Sequence, residues 1–153
     1  MSTRVDYIKA SPECFQAMLA LDSKLKSKLD HALFHLVKLR ASQINGCAYC
    51  IDMHWKDARA GGETEQRLYG LAAWRESPYY TNAERAALEW TECLTRVEAK
   101  GAPDAAYDAL RPHFNDAQIA DLSWTIAAIN AWNRMGIGFQ PRPGVYQPPK
   151  HAH

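Results

Sequence analysis

Apolar side chains recur at steps of three and four residues along nearly the whole chain, and this spacing constrains the fold most strongly. Leu29, Leu33, Leu36 and Val37 form one such stripe. A stripe of this kind marks the buried face of an amphipathic helix. Strict alternation of apolar and polar residues, which indicates half-buried strands, is hard to find. The sequence therefore predicts an all-α fold, a compact bundle of about six to seven helices.

Helix-capping and helix-breaking residues divide this pattern into segments. Ser11 and Pro12 are suited to begin a helix, and Thr81 with Glu84 forms a capping box. The Asn45-Gly46 pair breaks the pattern and predicts a turn. The predicted helices are one that begins at 11–12 and six more, over about 26–43, 47–62, 63–76, 81–101, 104–113 and 115–134.

The chain has the length of one domain, and no linker or repeat divides it. Its 153 residues are enough to bury a core without disulfides or metal ions. The segment 136–153, "GIGFQPRPGVYQPPKHAH", is rich in Gly and Pro and predicts an irregular C-terminal arm. We therefore expect residues 1–153 to form a single domain that ends in this arm.

Charge and hydropathy argue against several classes of partner. The net charge is +1, which gives no reason to expect binding to nucleic acid or to an anionic membrane surface. No apolar run approaches the roughly 20 residues of a membrane helix, and "MSTRVDYIKASPECF" has no apolar signal core. We expect a cytoplasmic protein, in which four cysteines are catalytic, metal-binding or inert rather than a disulfide framework.

The stretch "SQINGCAYCIDMH" places two thiols and an imidazole on one face of a helix. Cys47 and Cys50 are three residues apart, and His54 follows Cys50 by four. The helical rise between the cysteines is about 4.5 Å, within the range that a disulfide bridges. A turn at Asn45-Gly46 puts Cys47 at the helix start, where the helix dipole favours a thiolate, and His54 favours one at Cys50. The pattern therefore indicates a redox site.

Three other interpretations of the cysteine pair remain at this point. Both thiols can be inert core residues, because free cysteine is often buried. A zinc site would need further ligands, and a second Cys/His pair is absent from the sequence. A thioredoxin-like site has the same spacing but follows a strand, whereas here a long predicted helix precedes it.

Three stretches of the sequence resemble the alkylhydroperoxidase D-like (AhpD-like) branch of the carboxymuconolactone decarboxylase family. "LVKLRASQINGCAYCIDMH" is similar to the core motif of that branch, and "NAERAALEWTECLT" and "IADLSWTIAAINAWNRMGIGF" are similar to its following helices. The resemblance covers about 36–139. It implies an AhpD-like helical bundle that assembles as a homotrimer or homohexamer.

The resemblance also implies an activity and roles for residues. Peroxidases of this branch reduce hydroperoxides with electrons from a lipoyl-bearing or similar dithiol partner, and they need no cofactor or metal. The position of Cys50 is that of the thiolate that attacks the peroxide, Cys47 that of the resolving thiol, and His54 that of a proton-relay histidine. The family's lactone decarboxylases generally lack the cysteine pair, so its presence here favours thiol chemistry.

Two positions depart from the peroxidase pattern. His35 stands where the relay usually has a glutamate, and Tyr49 stands where it has a histidine. A neutral imidazole at position 35 can accept a proton, whereas a tyrosine with a pKa near 10 is a poor general base. His35 lies twelve residues before Cys47, which is 120° of helical phase, so it reaches the site only if the chain turns at Asn45-Gly46.

These departures keep two other functions open. The chain can be a general disulfide oxidoreductase with weak peroxidase activity, or a non-catalytic redox-sensing oligomer. Asp57, three residues after His54, is in place to orient the imidazole, but an aspartate on a helix is more often solvated. We therefore expect the site to consist of Cys50, Cys47, His54, His35 and Tyr49.

Overall fold

A computed structural model describes residues 4–149 and contains, over that range, nine α-helices, one 3-10 helix and no strand. The all-α prediction is confirmed, and the number of helices exceeds the predicted six to seven. None of the helices in this range is long and apolar enough to cross a membrane. The helices are α1 Tyr7–Ala10, α2 Pro12–Lys26, α3 His31–Asn45, α4 Ala48–Ala60, α5 Glu65–Gly70, the 3-10 helix Leu71–Ala73, α6 Asn82–Thr95, α7 Val97–Lys100, α8 Asp104–Asp108 and α9 Asp116–Phe139.

Two predicted helices begin or break at places that apolar spacing does not reveal. The helix predicted from residue 26 begins at His31, because the Asp30 carboxylate caps it by accepting a hydrogen bond from a backbone amide at 3.1 Å. The helix predicted over 81–101 breaks at Arg96, whose φ of −112° and ψ of 44° are not helical. This break, together with the unpredicted short helix α1, raises the number of helices.

Two other predicted helices are shorter than expected. The helix predicted over 63–76 ends at Gly70 as α5 and continues only as a 3-10 turn. The helix predicted over 104–113 ends at Asp108, and the chain beyond it forms turns with i to i+3 hydrogen bonds. Short segments of this kind carry too few apolar repeats for their ends to be found from periodicity.

The fold is organised around α3, which packs against α4, α6 and α9. Every residue from Leu33 to Leu39 is buried, so α3 is surrounded by protein on all sides along this stretch. One side of α3 packs against α6 and α9 in a cluster that includes Leu33, Val37, Ala87, Leu122 and Ile126. The other side packs against α4 and the 3-10 segment in a cluster that includes Leu36, Leu39, Ala58, Leu71 and Trp74.

A buried carboxylate ties α6 to α3 and to the 3-10 segment. The Glu92 carboxylate accepts hydrogen bonds from Arg40, Trp74 and Arg75, each at 2.9 Å. Burial by itself would raise the pKa of Glu92, but these hydrogen bonds outweigh it and lower the pKa to about 2. Glu92 is therefore charged at neutral pH and holds three elements in a fixed arrangement around α3.

The irregular C-terminal arm begins later than predicted. Helix α9 continues through Gly136 and Gly138 to Phe139, so the segment predicted to be irregular from residue 136 begins at Gln140. Neither glycine ends this helix, and Gly136 packs against α4, as described below. Gln140 has a φ of 53° and ends the helix in the left-handed region. The arm is described as far as residue 149, and 150–153 lie outside the described residues.

Candidate functional site

The turn before the two cysteines has the predicted position. Helix α3 ends at Asn45, and Gly46 adopts a φ of 72°, which glycine reaches without strain. Cys47 is the N-cap of α4, and its sulfur accepts a hydrogen bond from the Cys50 amide at 3.3 Å. The prediction of a turn at Asn45-Gly46 and of a helix that starts near Cys47 is confirmed.

Amide side chains fix this turn against α9. The Asn45 amide group donates hydrogen bonds to the side-chain oxygens of Asn130 at 2.9 Å and Asn133 at 2.8 Å. The Asn133 amide group in turn donates to the Ser42 hydroxyl at 2.9 Å. Because Asn133 and Ser42 are completely buried, this network holds the end of α3 firmly on α9. It therefore sets where α4 begins.

Cys47 and Cys50 form a disulfide with their Cα atoms 5.3 Å apart. Both cysteines are almost completely buried, each 2 % exposed. Gly136 of α9 lies directly over the disulfide: a Cβ atom there would lie 2.6 Å from the Cys47 sulfur and 3.1 Å from the Cys50 sulfur. A glycine at this position is what allows α9 to pack so close to the sulfur atoms.

Cys50 lines a cavity of about 320 Å³ between α1, α2, α3, α4, α9 and the arm. His35 and His54 line the same cavity. The rest of its wall is mostly apolar, so a molecule that enters is stripped of much of its water. The larger apolar and aromatic lining residues are Tyr7, Ile8, Phe15, Leu19, Phe34, Tyr49, Met53, Trp132 and Tyr146.

His35 and His54 are buried side by side, with ring centroids 5.9 Å apart. Burial, reinforced by the charges of His31 and Lys38, lowers the pKa of His35 to about 3. Burial, reinforced by Lys38 and His35, also lowers the pKa of His54 well below its usual range. Among residues 4–149, none of the four ring nitrogens has a hydrogen-bond partner. Two neutral imidazoles, whose nitrogens are not bonded to any other described residue, therefore adjoin the cavity.

The structure brings together all five residues expected in the site. Cys47 and Cys50 are linked, and His35 and His54 adjoin each other because the chain turns at Asn45-Gly46. Tyr49 is half-buried and lines the cavity beside Cys50. Its side chain is therefore placed beside Cys50 in the part of the chain that borders the cavity.

An ion pair in the cavity wall was not expected from the sequence. Lys38 is 1 % exposed, and its ammonium group pairs with the Asp22 carboxylate of α2. Burial lowers the pKa of Lys38, whereas Asp22 opposes this shift. A lysine within the apolar run "LFHLVKL" is the one feature of the sequence that indicates a buried charge here. Nothing in the sequence around Asp22, 16 residues earlier, indicates that it is the partner of Lys38.

Asp57 differs from the expectation that it is solvated. It is half-buried, and its carboxylate accepts a hydrogen bond from the Tyr146 hydroxyl at 2.7 Å. One side-chain oxygen of Asp57 and one ring nitrogen each of His35 and His54 lie within 4.8 Å of one another. The expectation failed because the residue that covers Asp57 comes from the arm, 89 positions further along the chain. Within residues 4–149, these three residues also form a group with the spacing that a metal ion needs.

The C-terminal arm packs on α4 and closes one side of the cavity. The Lys56 ammonium group donates to the carbonyl oxygens of Gly144 at 3.2 Å and Tyr146 at 3.0 Å. The Gly144 amide donates to the Asp52 carboxylate at 3.1 Å. These bonds place the Tyr146 ring at the cavity wall. The arm is therefore part of the site.

A second opening, of about 840 Å³, lies beside Cys47. It is bordered by the start of α4, the end of α9 and the arm residues Gln140, Pro141, Arg142 and Pro143. Cys47 borders this opening, whereas Cys50 borders the apolar cavity. The two cysteines thus border different spaces.

Comparison with known proteins places this arrangement in a family. The model of the carboxymuconolactone decarboxylase family matches residues 12–92. The uncharacterised protein YdfG of Bacillus subtilis (strain 168) is 44% identical over 143 residues, which is 93% of this chain and 97% of that protein. The uncharacterised protein YnjA of Escherichia coli (strain K12) is 30% identical over 127 residues, 82% of this chain and 69% of that protein.

A solved structure shows the same fold over nearly the full length. It is that of an Agrobacterium tumefaciens protein of unknown function, described as a candidate antioxidant defence protein AhpD. The TM-score is 0.91 at 48% sequence identity, and the match covers 95% of this chain and 100% of that chain. With its all-helical AhpD-like fold and its Cys47–Cys50 pair, the chain belongs to the carboxymuconolactone decarboxylase family.

Proposed function

We propose that the protein is a thiol-dependent alkyl hydroperoxide reductase. One observation carries this proposal: Cys50, linked to Cys47 in a disulfide, shares an apolar cavity with the neutral imidazole of His54. A nucleophilic thiol, a base and a second thiol within bonding reach are the groups that peroxide reduction by sulfur requires. Membership of a family that includes AhpD-like proteins agrees with a peroxidase-related enzyme.

The first half of the cycle takes place in the apolar cavity. In the reduced protein, the Cys50 thiol gives its proton to a ring nitrogen of His54, which is neutral and has no other partner among the described residues. The thiolate attacks one peroxide oxygen, the O–O bond breaks, and the alkoxide that leaves takes up the proton from His54. The products are an alcohol and a sulfenic acid on Cys50.

The second half returns the cysteines to the thiol state. The Cys47 sulfur attacks the Cys50 sulfenic acid, water leaves, and the Cys47–Cys50 disulfide forms. A dithiol partner then reduces this disulfide by exchange and becomes oxidised itself. Per cycle, one hydroperoxide and two partner thiols become one alcohol, one water and one partner disulfide. Sulfur carries both electrons, so the cycle needs neither a metal nor an organic cofactor.

The two openings suit the two reactants of this cycle. An organic hydroperoxide fits the apolar cavity beside Cys50, because its carbon chain loses contact with water there. The second opening leads to Cys47, and a long, flexible dithiol such as a lipoyl group on a carrier protein can reach the sulfur from that side. The partner thiol then attacks Cys47, and Cys50 leaves as the thiolate that is ready for the next peroxide.

The first prediction concerns the two cysteines. Cys50→Ser abolishes turnover of cumene hydroperoxide with a dihydrolipoamide system, because no thiolate remains in the cavity to attack the peroxide. Cys47→Ser consumes one equivalent of peroxide at most, because its Cys50 sulfenic acid has no resolving thiol. The measurement is steady-state and single-turnover peroxide consumption by the wild type and both variants. Cys93→Ser, which changes a buried free cysteine outside the cavity, is the control. Robust turnover by Cys50→Ser contradicts the mechanism.

A general disulfide oxidoreductase with weak peroxidase activity is the second candidate. It is favoured by one observation, the presence of His35 and Tyr49 at positions where the resembled peroxidases carry a glutamate and a histidine. Such an enzyme exchanges small disulfides with dithiols faster than it consumes hydroperoxide. A non-catalytic sensor would instead oxidise stoichiometrically and turn over with no dithiol. Parallel assays with a disulfide and a hydroperoxide, each with dihydrolipoamide, distinguish the three.

A further inference from the structure

The two buried imidazoles need hydrogen-bond partners that the surrounding helices do not supply directly. Each neutral ring has one N–H donor and one acceptor nitrogen. None of the four nitrogens of His35 and His54 is bonded within residues 4–149, although both side chains are at least nine-tenths buried. Buried polar atoms are nearly always satisfied, by protein or by water. A group in the adjoining cavity that lies within reach of both rings would supply such partners.

Two carboxylates line the cavity, and only one faces the imidazole pair. Asp22 is engaged by the ammonium group of Lys38. Asp57 instead has a carboxylate oxygen within 4.8 Å of a ring nitrogen of His35 and of His54. Two hydrogen bonds of about 2.8 Å that meet at one water molecule span such a distance. A single water molecule in the adjoining cavity can thus link Asp57 to both rings.

The position of Asp57 is fixed from outside the helix that carries it. The Tyr146 hydroxyl donates to the Asp57 carboxylate at 2.7 Å, and burial together with Asp57 raises the pKa of Tyr146, so that it stays a donor. Lys56 and Asp52 hold the arm that carries Tyr146. A carboxylate has about four acceptor sites, so Asp57 can bind Tyr146 and still accept from a water molecule.

We propose that Asp57 is the positioning carboxylate of this site, held by Tyr146 and acting on His54 through a water molecule. The water accepts a hydrogen bond from the His54 N–H and donates one to Asp57, which leaves the other ring nitrogen free for the Cys50 proton and stabilises the imidazolium that then forms. Asp57 thereby supplies from α4 the negative charge that position 35, a histidine, does not provide. The role of Asp57 in turnover rests on the proposed function. Its effect on the pKa of the Cys50 thiol does not.

Burial and the charges around His54 oppose an imidazolium there, and a nearby carboxylate offsets this. The nearby ammonium group of Lys38 and the second imidazole of His35 both oppose a positive charge on His54. From α9, the residues that reach the cavity are Trp132 and Gly136, which carry no charge. The remaining titratable groups of the cavity wall are Tyr7 on α1, Asp22 and Lys26 on α2, Tyr49 on α4 and Tyr146 on the arm.

The test measures the Cys50 thiol directly. In reduced protein with Cys14→Ser, Cys47→Ser and Cys93→Ser, which leaves Cys50 as the remaining thiol, thiolate absorbance near 240 nm is followed against pH with and without Asp57→Asn. We expect Asp57→Asn to raise the apparent pKa of Cys50 by about one unit, because the imidazolium loses its carboxylate. In a chain that is otherwise wild type, Asp57→Asn lowers kcat/KM for cumene hydroperoxide about tenfold or more. Asp57→Glu restores much of both values.

Two further variants separate positioning from a general loss of structure. Tyr146→Phe, which leaves Asp57 in place but removes the bond that holds it, shifts the Cys50 pKa in the same direction by a smaller amount. Asp108→Asn, which makes the same change of charge at an exposed position on α8, leaves the Cys50 pKa unchanged. Circular dichroism and thermal unfolding check that each variant is folded. If Asp57→Asn does not fold, Asp57→Glu and Tyr146→Phe still provide the comparison.

Several outcomes overturn the inference. An unchanged Cys50 pKa in folded Asp57→Asn contradicts it, as does an equal shift in Asp108→Asn. A stoichiometric metal ion in the purified protein that is lost in Asp57→Asn also overturns it, because Asp57 is then a metal ligand. If the wild type consumes no hydroperoxide but Asp57→Asn still shifts the Cys50 pKa, the positioning role stands and the proposed peroxidase function fails.

Discussion

At the scale of single residues, burial decides the protonation state of the site. A histidine in water is half-charged near pH 6.5, whereas His35 has a pKa of about 3 because burial disfavours its charged form. His54 is shifted in the same direction. Both rings therefore stay neutral throughout the physiological range. Both rings thus keep an unprotonated nitrogen, and small changes of cellular pH do not alter this.

The low pKa of His35 predicts that the protein loses stability in mild acid. The unfolded chain takes up a proton at this residue below about pH 6.5, but the folded protein does so only near pH 3. Stability from His35 is thus complete above pH 6.5 and is lost as the pH falls towards 3, by about 2 kcal/mol at pH 5. Urea unfolding at pH 7.5 and 5.0 measures this loss. His35→Gln should lose less stability between the two pH values than the wild type does.

An exposed histidine provides the control for this prediction. His113→Gln should retain the wild-type loss of stability between pH 7.5 and 5.0, because its ring is exposed to solvent in the folded protein. If the stability of His35→Gln depends on pH as that of His113→Gln does, the depressed pKa of His35 does not contribute to stability.

Residue-level prediction from the sequence worked where local geometry was decisive. The positions of Cys47, Cys50 and His54 on one helix follow from their spacing, and the structure has them on α4 and at its N-cap. The environment of Asp57 could not be predicted, because Tyr146, which covers it, is far away in the sequence. Lys38 was missed for the same reason, since its partner Asp22 belongs to another helix.

At the scale of elements, the close approach of α9 to the start of α4 shapes the redox site. Gly136 faces the disulfide at a distance that leaves no room for a side chain, whereas a Cβ atom at Gly138 would meet nothing within 4 Å. Both glycines lie in the same helix, two residues apart, so they differ in their surroundings rather than in their backbone. They form a matched pair for testing how tightly α9 packs on the sulfur atoms.

We predict that alanine substitutions at these two glycines change the stability of the protein in different directions. Gly136→Ala should destabilise the oxidised protein by about 1–3 kcal/mol, because its Cβ atom forces α9 away from the disulfide. Gly138→Ala should be neutral or stabilise it by up to about 1 kcal/mol, because alanine is the better helix former. Urea unfolding of both variants under oxidising conditions gives the two values. Equal effects would mean that the contact between Gly136 and the disulfide is not tight in solution.

Some helix ends were predicted correctly and others were not. The difference is whether the end is determined by local capping residues or by tertiary packing. The capping boxes that begin α6 and α9 are local, and the Thr81–Glu84 box was evident in the sequence. The end of α9 was placed at 134 because its glycines read as helix-breaking, but the helix continues through both glycines to Phe139, with Gly136 packed against the disulfide. The break at Arg96 has no strong breaker residue to indicate it.

At the scale of the whole molecule, the apolar surface that remains exposed bears on assembly. Trp124 on α9 is 59% exposed and Val97 on α7 is 57% exposed. Isolated apolar residues on a surface are common and do not by themselves indicate an interface. The expected homotrimer or homohexamer therefore stays a prediction from the family resemblance.

The mass of the protein in solution tests this prediction and separates two candidate functions. Light scattering coupled to size exclusion should give three or six times the 17.3 kDa of one chain. For a peroxidase, the mass should be the same in the oxidised and reduced states, because the disulfide lies inside one subunit, between Cys47 and Cys50. A mass that changes with the redox state favours the redox-sensing oligomer. A monomer in both states contradicts the expected assembly.

The sequence alone determined the all-α class, the turn at Asn45-Gly46 and the placement of Cys47, Cys50 and His54 along one helix. These features depend on spacing, capping and the backbone freedom of glycine, which act over a few neighbouring residues. Only the tertiary structure decided that His35 lies beside His54 and that Tyr146 holds Asp57. Such contacts join residues from distant parts of the chain. They arise from the packing of whole helices around α3, which no local pattern specifies.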